Sequence, residues 1–560
     1  MQIGLVVDSE GGGLLQAFTD DGTAAGPLER VDVAAAAVVE RERAERPRWL
    51  WASTAETYPA LLRAGARVAR CHDLALTEGI LLAYAGRWGE PKSLHAAWAR
   101  LHGLPVPDDD LPQVPRYQPA LFEPERSGLP EGEGLVAVLG EVYADQQRRL
   151  AVTEHPERLR LLVAAESAGA LAAVEMAEAG LPWRLDVHDQ LLTGLLGPRP
   201  APGTLPRRLR ELAVRIGEAF GEPVNPDSPG QVVRAFAAAG ITVPSTRMQV
   251  LREVDHPAVP LLFEYKELSR LFSAYGWSWL DSWVRAGRMR PEYVPGGVVS
   301  GRWATRGGGA LQIPRAVRQA VVAEPDWTLV VADAGQLEPR VLAALSGDRG
   351  LERAARGGDL YGGLAAAAFG GDRPRAKVAL LAAIYGQTSG EAGQLLGVLR
   401  RRFPEAVGYV EAAARAGEEG QLVRSRLGRT CPPPSTGWRE RTAALGRAAE
   451  DDEEVRAARR SARDRGRFTR NFVVQASAAD WALALLAALR LRLDSSRPAA
   501  PELVFFQHDE VVVHCQPADA VEVVAAVAEA ADEARRLVFG GTPVRFPLDS
   551  AVVSCYADAK

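Results

Sequence analysis

The sequence predicts an α/β amino-terminal domain followed by a larger α+β region. Up to about residue 103, short β-like runs (IGLVVD, RWLWAS, ARVARC) alternate with helical ones such as LALTEGILLAYAG. Beyond residue 135, long helical stretches give way twice to apolar β runs that end at carboxylates. A length of 560 residues with 47% apolar and 24% charged residues suits a multidomain globular chain.

The elements follow in order. Residues 104 to 134 (LPVPDDDLPQVPRYQPALFEPERSGLPEGEG) lack an amphipathic period and read as an extended linker. From 135 to 290 the pattern is that of long packed helices, including RRLRELAVRIGEAFG and FEYKELSRL. Residues 291 to 345 turn to β character with glycine turns and contain TLVVAD, a buried strand closing at Asp333. Helices then dominate to 492, interrupted by TCPPPSTGW at 430 to 438 and by EDDEEVRAARRSARDRGR at 450 to 467, a solvated helix with mixed-sign pairs. A β pair near 503 to 514, a helix over 518 to 537 and a final strand complete the chain.

Composition excludes some classes. A formal charge of -5 rules out a globally basic nucleic-acid binder but leaves room for a basic cleft in an acidic envelope. Cys71, Cys431, Cys515 and Cys555 form no CxxC pair or zinc-ligand spacing, which fits a reducing compartment. The start MQIGLVVDSE lacks a basic leader, and WALALLAAL at 481 to 489 is too short to span a bilayer, so the expectation is a cytoplasmic protein with no membrane partner. Lysine occurs only at 92, 266, 377 and 560 in a chain otherwise using arginine.

Phe505 to His514, FFQHDEVVVH, reads as a hairpin whose turn carries Asp509 and Glu510. A soluble turn and a cation-holding turn both fit this stretch taken alone. With Asp333, the carboxylates supply what two-metal phosphoryl transfer needs, provided that the strands are neighbours. In GGDRPRAKVALLAAIYGQ at 370 to 387, Arg373, Lys377, Leu381 and Tyr385 are spaced by four along one helical face. Lys377, a compact cation that can approach a phosphate and release a proton, stands where most of this chain would use arginine.

These segments resemble family A DNA polymerases of the DNA polymerase I type. DAGQLEPR at 333 to 340 is similar to the first palm motif, RPRAKVALLAAIYG to the fingers helix, and QHDE at 507 to 510 to the third motif. VSGRWATRGGGALQIP at 299 to 314 and RFTRNFVVQASAADWALALL resemble further family segments, in the family's order. The resemblance implies an exonuclease-like (RNase H-like) α/β domain over residues 1–134 with its linker, and an α+β right-hand polymerase over 135–560. The thumb is expected at about 195–290, the palm at about 291–345 and 465–560, and the fingers at about 346–464, with no 5′ nuclease domain. It implies that Asp333, Asp509 and the Ala334 carbonyl ligate two Mg²⁺ ions, Mn²⁺ able to substitute, with Glu510 close behind. Arg373 and Lys377 would hold the triphosphate, while Gln336, Glu338, Leu381 and Tyr385 would line the nucleotide site, Glu338 crowding the sugar 2′ position. His508 would meet the primer end. Arg302, Arg467, Asn471 and Gln475 would contact primer or template, and Lys266 and Arg270 duplex phosphates. The implied partners are primer-template DNA and deoxynucleoside triphosphates, for a monomer associated with the nucleoid.

Departures from the family pattern are informative. Leu381 replaces an aromatic ring, Leu380 and Ala382 replace Asn and Gly, and Ala334 replaces Tyr, which implies slow synthesis with weakened sugar discrimination. Residues 385 to 404 look shortened and 440 to 462 look inserted. Of the carboxylates a proofreading site needs, Asp8 and Glu10 read as a glycine-rich hairpin turn, Thr57 or Tyr58 falls where Asp is expected, and Asp145 fits. The expectation is a polymerase with an inactive exonuclease-like domain. The alternatives are a catalytically impaired fold that binds DNA ends as a repair scaffold and a polymerase with residual 3′-5′ exonuclease.

Overall fold

Short, largely apolar runs build two major sheets, and the helices between them bury what the sheets leave uncovered. The computed structural model describes residues 1–109, 128–307, 309, 313–387, 390–446, 453–493 and 499–559. Leu311 and Gln312, most of the expected linker and the first residues of the charged block lie outside the described residues.

The amino-terminal sheet has five strands in the order Glu29–Val31, Gly13–Phe18, Gln2–Val7, Arg48–Trp51, Arg70–Asp73. The first three run antiparallel and the last three parallel, the mixed topology implied for an RNase H-like domain. The third expected strand lies slightly later than ARVARC, at Arg70–Asp73, because Ala66 and Val68 are buried in the approach to the strand. The Asp8 to Gly12 segment is the expected hairpin turn: Asp8 Oδ1 accepts from the backbone N–H groups of Glu10 and Gly12, both at 2.9 Å.

Residues 135 to 290 are mostly helical, as expected, but a small sheet of Leu181–Pro182, Arg288–Met289 and Val284–Arg285 interrupts them. Strands of two residues leave no period in a sequence.

The second major sheet holds Glu502–Gln507, Glu510–Cys515, Thr328–Ala334 and Leu548–Val553, in that spatial order and all antiparallel. Its central strand, TLVVADA, is buried until Asp333, and the helix Ala520–Phe539 packs on it. Glu453–Arg492 is one continuous helix. The charged block is therefore not a separate solvated helix: Val455, Ala458, Ala462 and Gly466 form its buried stripe, and the helix runs on into the core through Trp481. Its apolar window is long enough to cross a membrane, but 89% of that window is buried inside the protein, as in a core helix.

Two buried ionic clusters join the sequence-distant parts. Arg490 donates to the carbonyls of Val68 and Ala69, both at 2.7 Å, and pairs with Glu175, which also accepts from Arg67 and from the Tyr58 hydroxyl. Arg429 bridges Glu166 at 2.6 Å and Asp480 at 3.0 Å. Buried charges persist only when paired in this way.

Candidate active site

The site forms where the central strand ends. Asp333 lies opposite Glu510 on one neighbouring strand and Asp549 on the other. The next residue, Ala334, donates its N–H to the Asp509 carbonyl at 2.9 Å, so the strand ends carrying Asp333 and Asp509 are fastened together. Both carboxylates are half-buried at the rim of a rigid sheet. Glu510 stands behind them, 3% exposed, and accepts a hydrogen bond from the buried Tyr556 hydroxyl.

The backbone is strained beside both carboxylates. His508 has φ 58°, and the turn around it closes with an Asp509 N–H to Gln507 carbonyl bond of 2.6 Å, a three-residue turn seldom seen. Gln336, three residues after Asp333, has φ 61° and precedes the helix Leu337–Ser346. A non-glycine residue in this region costs about 1–2 kcal/mol. Arg340 spends its donors holding that corner: it bonds the carbonyls of Gly335, Ala355, Gly357, Gly358 and Arg545 while 1% exposed.

The cationic helix Arg373–Tyr385 starts with an Asp372 cap on the Arg375 N–H and stops at Gly386, φ 70°. Each end is tied to the turn after Asp333. At the start, Arg373 binds Asp359 through bonds of 2.8 and 3.2 Å, and Asp359 accepts from Gln336 at 2.9 Å. Arg373 also lies 5.7 Å from the Tyr361 ring centroid. At the other end, the Tyr385 hydroxyl donates to Glu338 Oε2 at 2.7 Å, and Arg302 donates to Glu338 Oε1 at 2.5 Å. Between these tethers Lys377 is exposed, with no ion pair among the described residues, and Leu381 is half-buried.

Gln475, from the long helix, also acts on the Tyr385 phenol, favouring its charged form. Burial, and then Arg302, lower the His508 imidazole below its ordinary value, so His508 belongs to the same electrostatic cluster. Five residues spread from 302 to 508 thus converge. Arg302 owes its place to Gly301, whose φ is 83°: a Cβ there would lie 2.3 Å from the Arg429 guanidinium. Arg467 packs its stem on Gly386 and pairs with Asp464 at 2.7 Å, while buried Asn471 Oδ1 has no partner among the described residues.

Lys266 and Arg270 stand apart. On the helix Ala258–Tyr275, Lys266 hydrogen-bonds the Thr246 carbonyl, and burial followed by the Arg270 charge lowers its ammonium below the ordinary range. On the helix Glu133–Ala151, Asp145 pairs with Arg148 and Arg149 at 3.4 and 3.3 Å. Tyr58 is buried against Trp51. Sequence reading missed Arg340, Asp359, Arg429 and Tyr556. A glycine before Arg302 was the one visible hint of close backbone approach.

Among the described residues no three His, Cys, Asp or Glu side chains form a metal-binding group. Mg²⁺ is commonly held by one or two carboxylates, with water and substrate phosphates completing its shell. The oxygen donors of Asp333, Asp509 and Ala334 fit that chemistry.

The fold is that of a right-hand polymerase domain. The structure is similar over 100% of the chain, at TM-score 0.69 and 19% identity, to 95% of the POL domain of Pol1 from M. smegmatis, solved in complex with DNA primer-template and dNTP. At that identity the likeness is one of fold. The DNA polymerase family A description matches residues 203–549, and the chain belongs to that family. It is 31% identical over 363 residues to a thermostable DNA polymerase I of Thermus filiformis, a match spanning 58% of this chain and 42% of that protein. DNA polymerase I of Chloroflexus aurantiacus is 27% identical over 56% of this chain and 36% of its own length. The chain thus spans less than half the length of these relatives.

Proposed function

We propose that the chain is a template-directed DNA polymerase that extends a primer 3′ end with deoxynucleotides in repair or replication. The observation that carries this reading is the double tether: Gln336 through Asp359 to Arg373, and Glu338 to Tyr385, hold the cationic helix over the end of the strand bearing Asp333.

The primer 3′ oxygen attacks the α-phosphate, a new P–O bond forms, the bond to the bridging oxygen breaks and pyrophosphate leaves. Asp333, Asp509 and the Ala334 carbonyl would hold two Mg²⁺ ions, or Mn²⁺, which supply activation of the primer oxygen and neutralise phosphate charge. Arg373 and Lys377 bind the triphosphate, and Lys377 gives a proton to the departing pyrophosphate. Glu338, fixed by Arg302 and Tyr385, excludes a 2′-hydroxyl, and Gln336 and Leu381 complete the nucleotide site. His508 faces the primer terminus, and Glu510 is an auxiliary catalytic carboxylate close behind Asp333 and Asp509. Arg302, Arg467, Asn471 and Gln475 follow the primer-template duplex, and Lys266 and Arg270 meet its phosphates.

In this reading residues 195–290 are the thumb, 291–345 and 465–560 the palm and 346–464 the fingers. Residues 1–134 are a brace rather than a nuclease, since Asp8 serves a turn and Asp145, on the helix that follows, is engaged by two arginines. The protein acts as a cytoplasmic, nucleoid-associated monomer.

Extension of a primed template by wild type and Asp509→Ala with Mg²⁺ tests the assignment. Loss of the carboxylate is expected to slow extension about a hundredfold or more; equal rates would discard the polymerase reading in favour of a DNA-end scaffold. Leu381 and Ala334 lead to slow synthesis with weak sugar discrimination, and ordinary selectivity against ribonucleotides and dideoxynucleotides would sink that expectation.

A further inference from the structure

A cavity of about 260 Å³ lies between the amino-terminal domain and the loop at 422–428, lined by none of the active-site residues above. Tyr84 closes it from the end of the helix Leu74–Tyr84, and His155 and Arg158 from the start of Pro156–Ala179. Tyr409 enters from Pro404–Glu418, and Arg424 and Arg426 from the loop.

Three guanidinium groups line this space, and none has an ion-pair partner among the described residues, whereas many other arginines in the chain pair with carboxylates. The only carboxylate in the lining among the described residues, Glu154, is 72% exposed and 4.0 Å from His155. Burial, and then the Arg158 charge, push the Arg426 guanidinium below its ordinary value. Arg424 sits 4.3 Å from the Tyr84 ring centroid and donates to the Tyr84 carbonyl at 3.3 Å, leaving its buried Nε unpartnered. The 24-residue helix Pro156–Ala179 adds its positive end, which has no side-chain cap. Half-buried like charges facing one another are unfavourable unless an anion joins them. Arginine forks match phosphate oxygens, and flanking tyrosines give a base or sugar a flat surface.

We propose that this cavity is a second phosphate-binding site, separate from the triphosphate site, occupied by the backbone of a single-stranded nucleic acid or by a free polyphosphate. The ligand's charge fills the gap between Arg158, Arg424 and Arg426, and Tyr84 and Tyr409 flank it. The site binds without chemistry: the Ser425 hydroxyl in its lining is committed to Asp480, and the His155–Glu154 pair is exposed.

The test uses the full chain as wild type, as the double variant Arg158→Gln with Arg426→Gln, and as Arg424→Gln. Inorganic tripolyphosphate is titrated calorimetrically, and a fluorescein-labelled oligothymidylate by anisotropy at several salt concentrations. The double variant is expected to bind at least one probe about tenfold more weakly, with the log–log salt slope for the strand flatter by up to about two. Its melting temperature is expected to hold or rise, since a repulsive pair is relieved; a structural role for these arginines would lower it. Weakening of the strand alone assigns the site to nucleic acid, and weakening of tripolyphosphate assigns it to free polyphosphate. Affinities within twofold of wild type for both probes overturn the proposal. If the double variant fails to fold, Arg424→Gln decides: a threefold or greater loss supports the site, and unchanged binding of both probes overturns it.

Discussion

The Tyr385 hydroxyl donates to Glu338 Oε2 across 2.7 Å, joining the last turn of the cationic helix to the first turn of the helix after Asp333. Burial, and then the Glu338 carboxylate, push the Tyr385 phenol up to about 12, so it stays a neutral donor well above neutral pH. A hydrogen bond to a charged group contributes about 1.5–3 kcal/mol. Tyr385→Phe is therefore expected to raise the nucleotide KM about tenfold, while Arg302 still holds Glu338. Steady-state kinetics at pH 7 to 9.5 check this; a pH-dependent loss in wild type across that range would contradict the assignment of the proton.

Asp359 holds Arg373 in a two-bond ion pair and is itself held down at about 2, first by that arginine and further by Gln336. The pair is about half exposed, so solvent screening leaves it little effect on stability. Its consequence is competition, since an incoming phosphate must take Arg373 from the carboxylate. Asp359→Asn is expected to leave the melting temperature nearly unchanged and to lower the nucleotide KM up to about fivefold. A higher KM would show that the tether through Asp359 outweighs this competition.

His508 occupies a left-handed conformation that glycine adopts without strain. His508→Gly is expected to stabilise the fold by about 1 kcal/mol, from relief of that strain. It is also expected to slow extension at least tenfold, because Asp509 then hangs on a looser turn. Denaturant unfolding and primer extension, measured on the same protein, check the two opposite signs together.

Burial alone would raise the Glu175 carboxyl, but Arg490 and Arg67 outweigh it and hold it at about 2, below the ordinary 4.5. A folded-state value below the unfolded one means that this stabilisation is complete above about pH 4.5 and is lost as pH falls toward 2. Glu175→Gln strands the buried Arg490 charge and is expected to cost about 3–5 kcal/mol at pH 7, with less acid sensitivity remaining below pH 4.5. Thermal melts of both proteins from pH 3 to 7 test the magnitude and the slope.

The strands were legible because apolar runs with carboxylates at their ends have a local signature, as in TLVVAD and FFQHDEVVVH. The helix at 373 to 385 was legible in its Asp372 start, its glycine stop and its four-residue spacing. The continuity of Glu453–Arg492 could have been read from Val455, Ala458, Ala462 and Gly466, small apolar residues recurring every three or four positions among the charges. Family resemblance named Arg302, Glu338, Tyr385 and Gln475 one by one, but not their convergence, since tertiary contact alone joins these positions. Beyond the glycine before Arg302, Arg429 with Glu166 and Asp480 carried no signal: an arginine in a loop is exposed by default, and only the fold reveals that this one is buried.

The anchoring of Arg490 on the carbonyls of Val68 and Ala69 bears on how far this chain can be shortened. Excision of the first 134 residues would remove both acceptors and uncover the helix Pro156–Ala179, which packs on the strand Arg70–Asp73. The remaining 426 residues would keep every carboxylate of the proposed catalytic centre yet lose the footing of the helix that carries Gln475. The two regions are thus one foundation, inherited together, and a minimal version of this protein would need a new base beneath that helix before its chemistry could be kept.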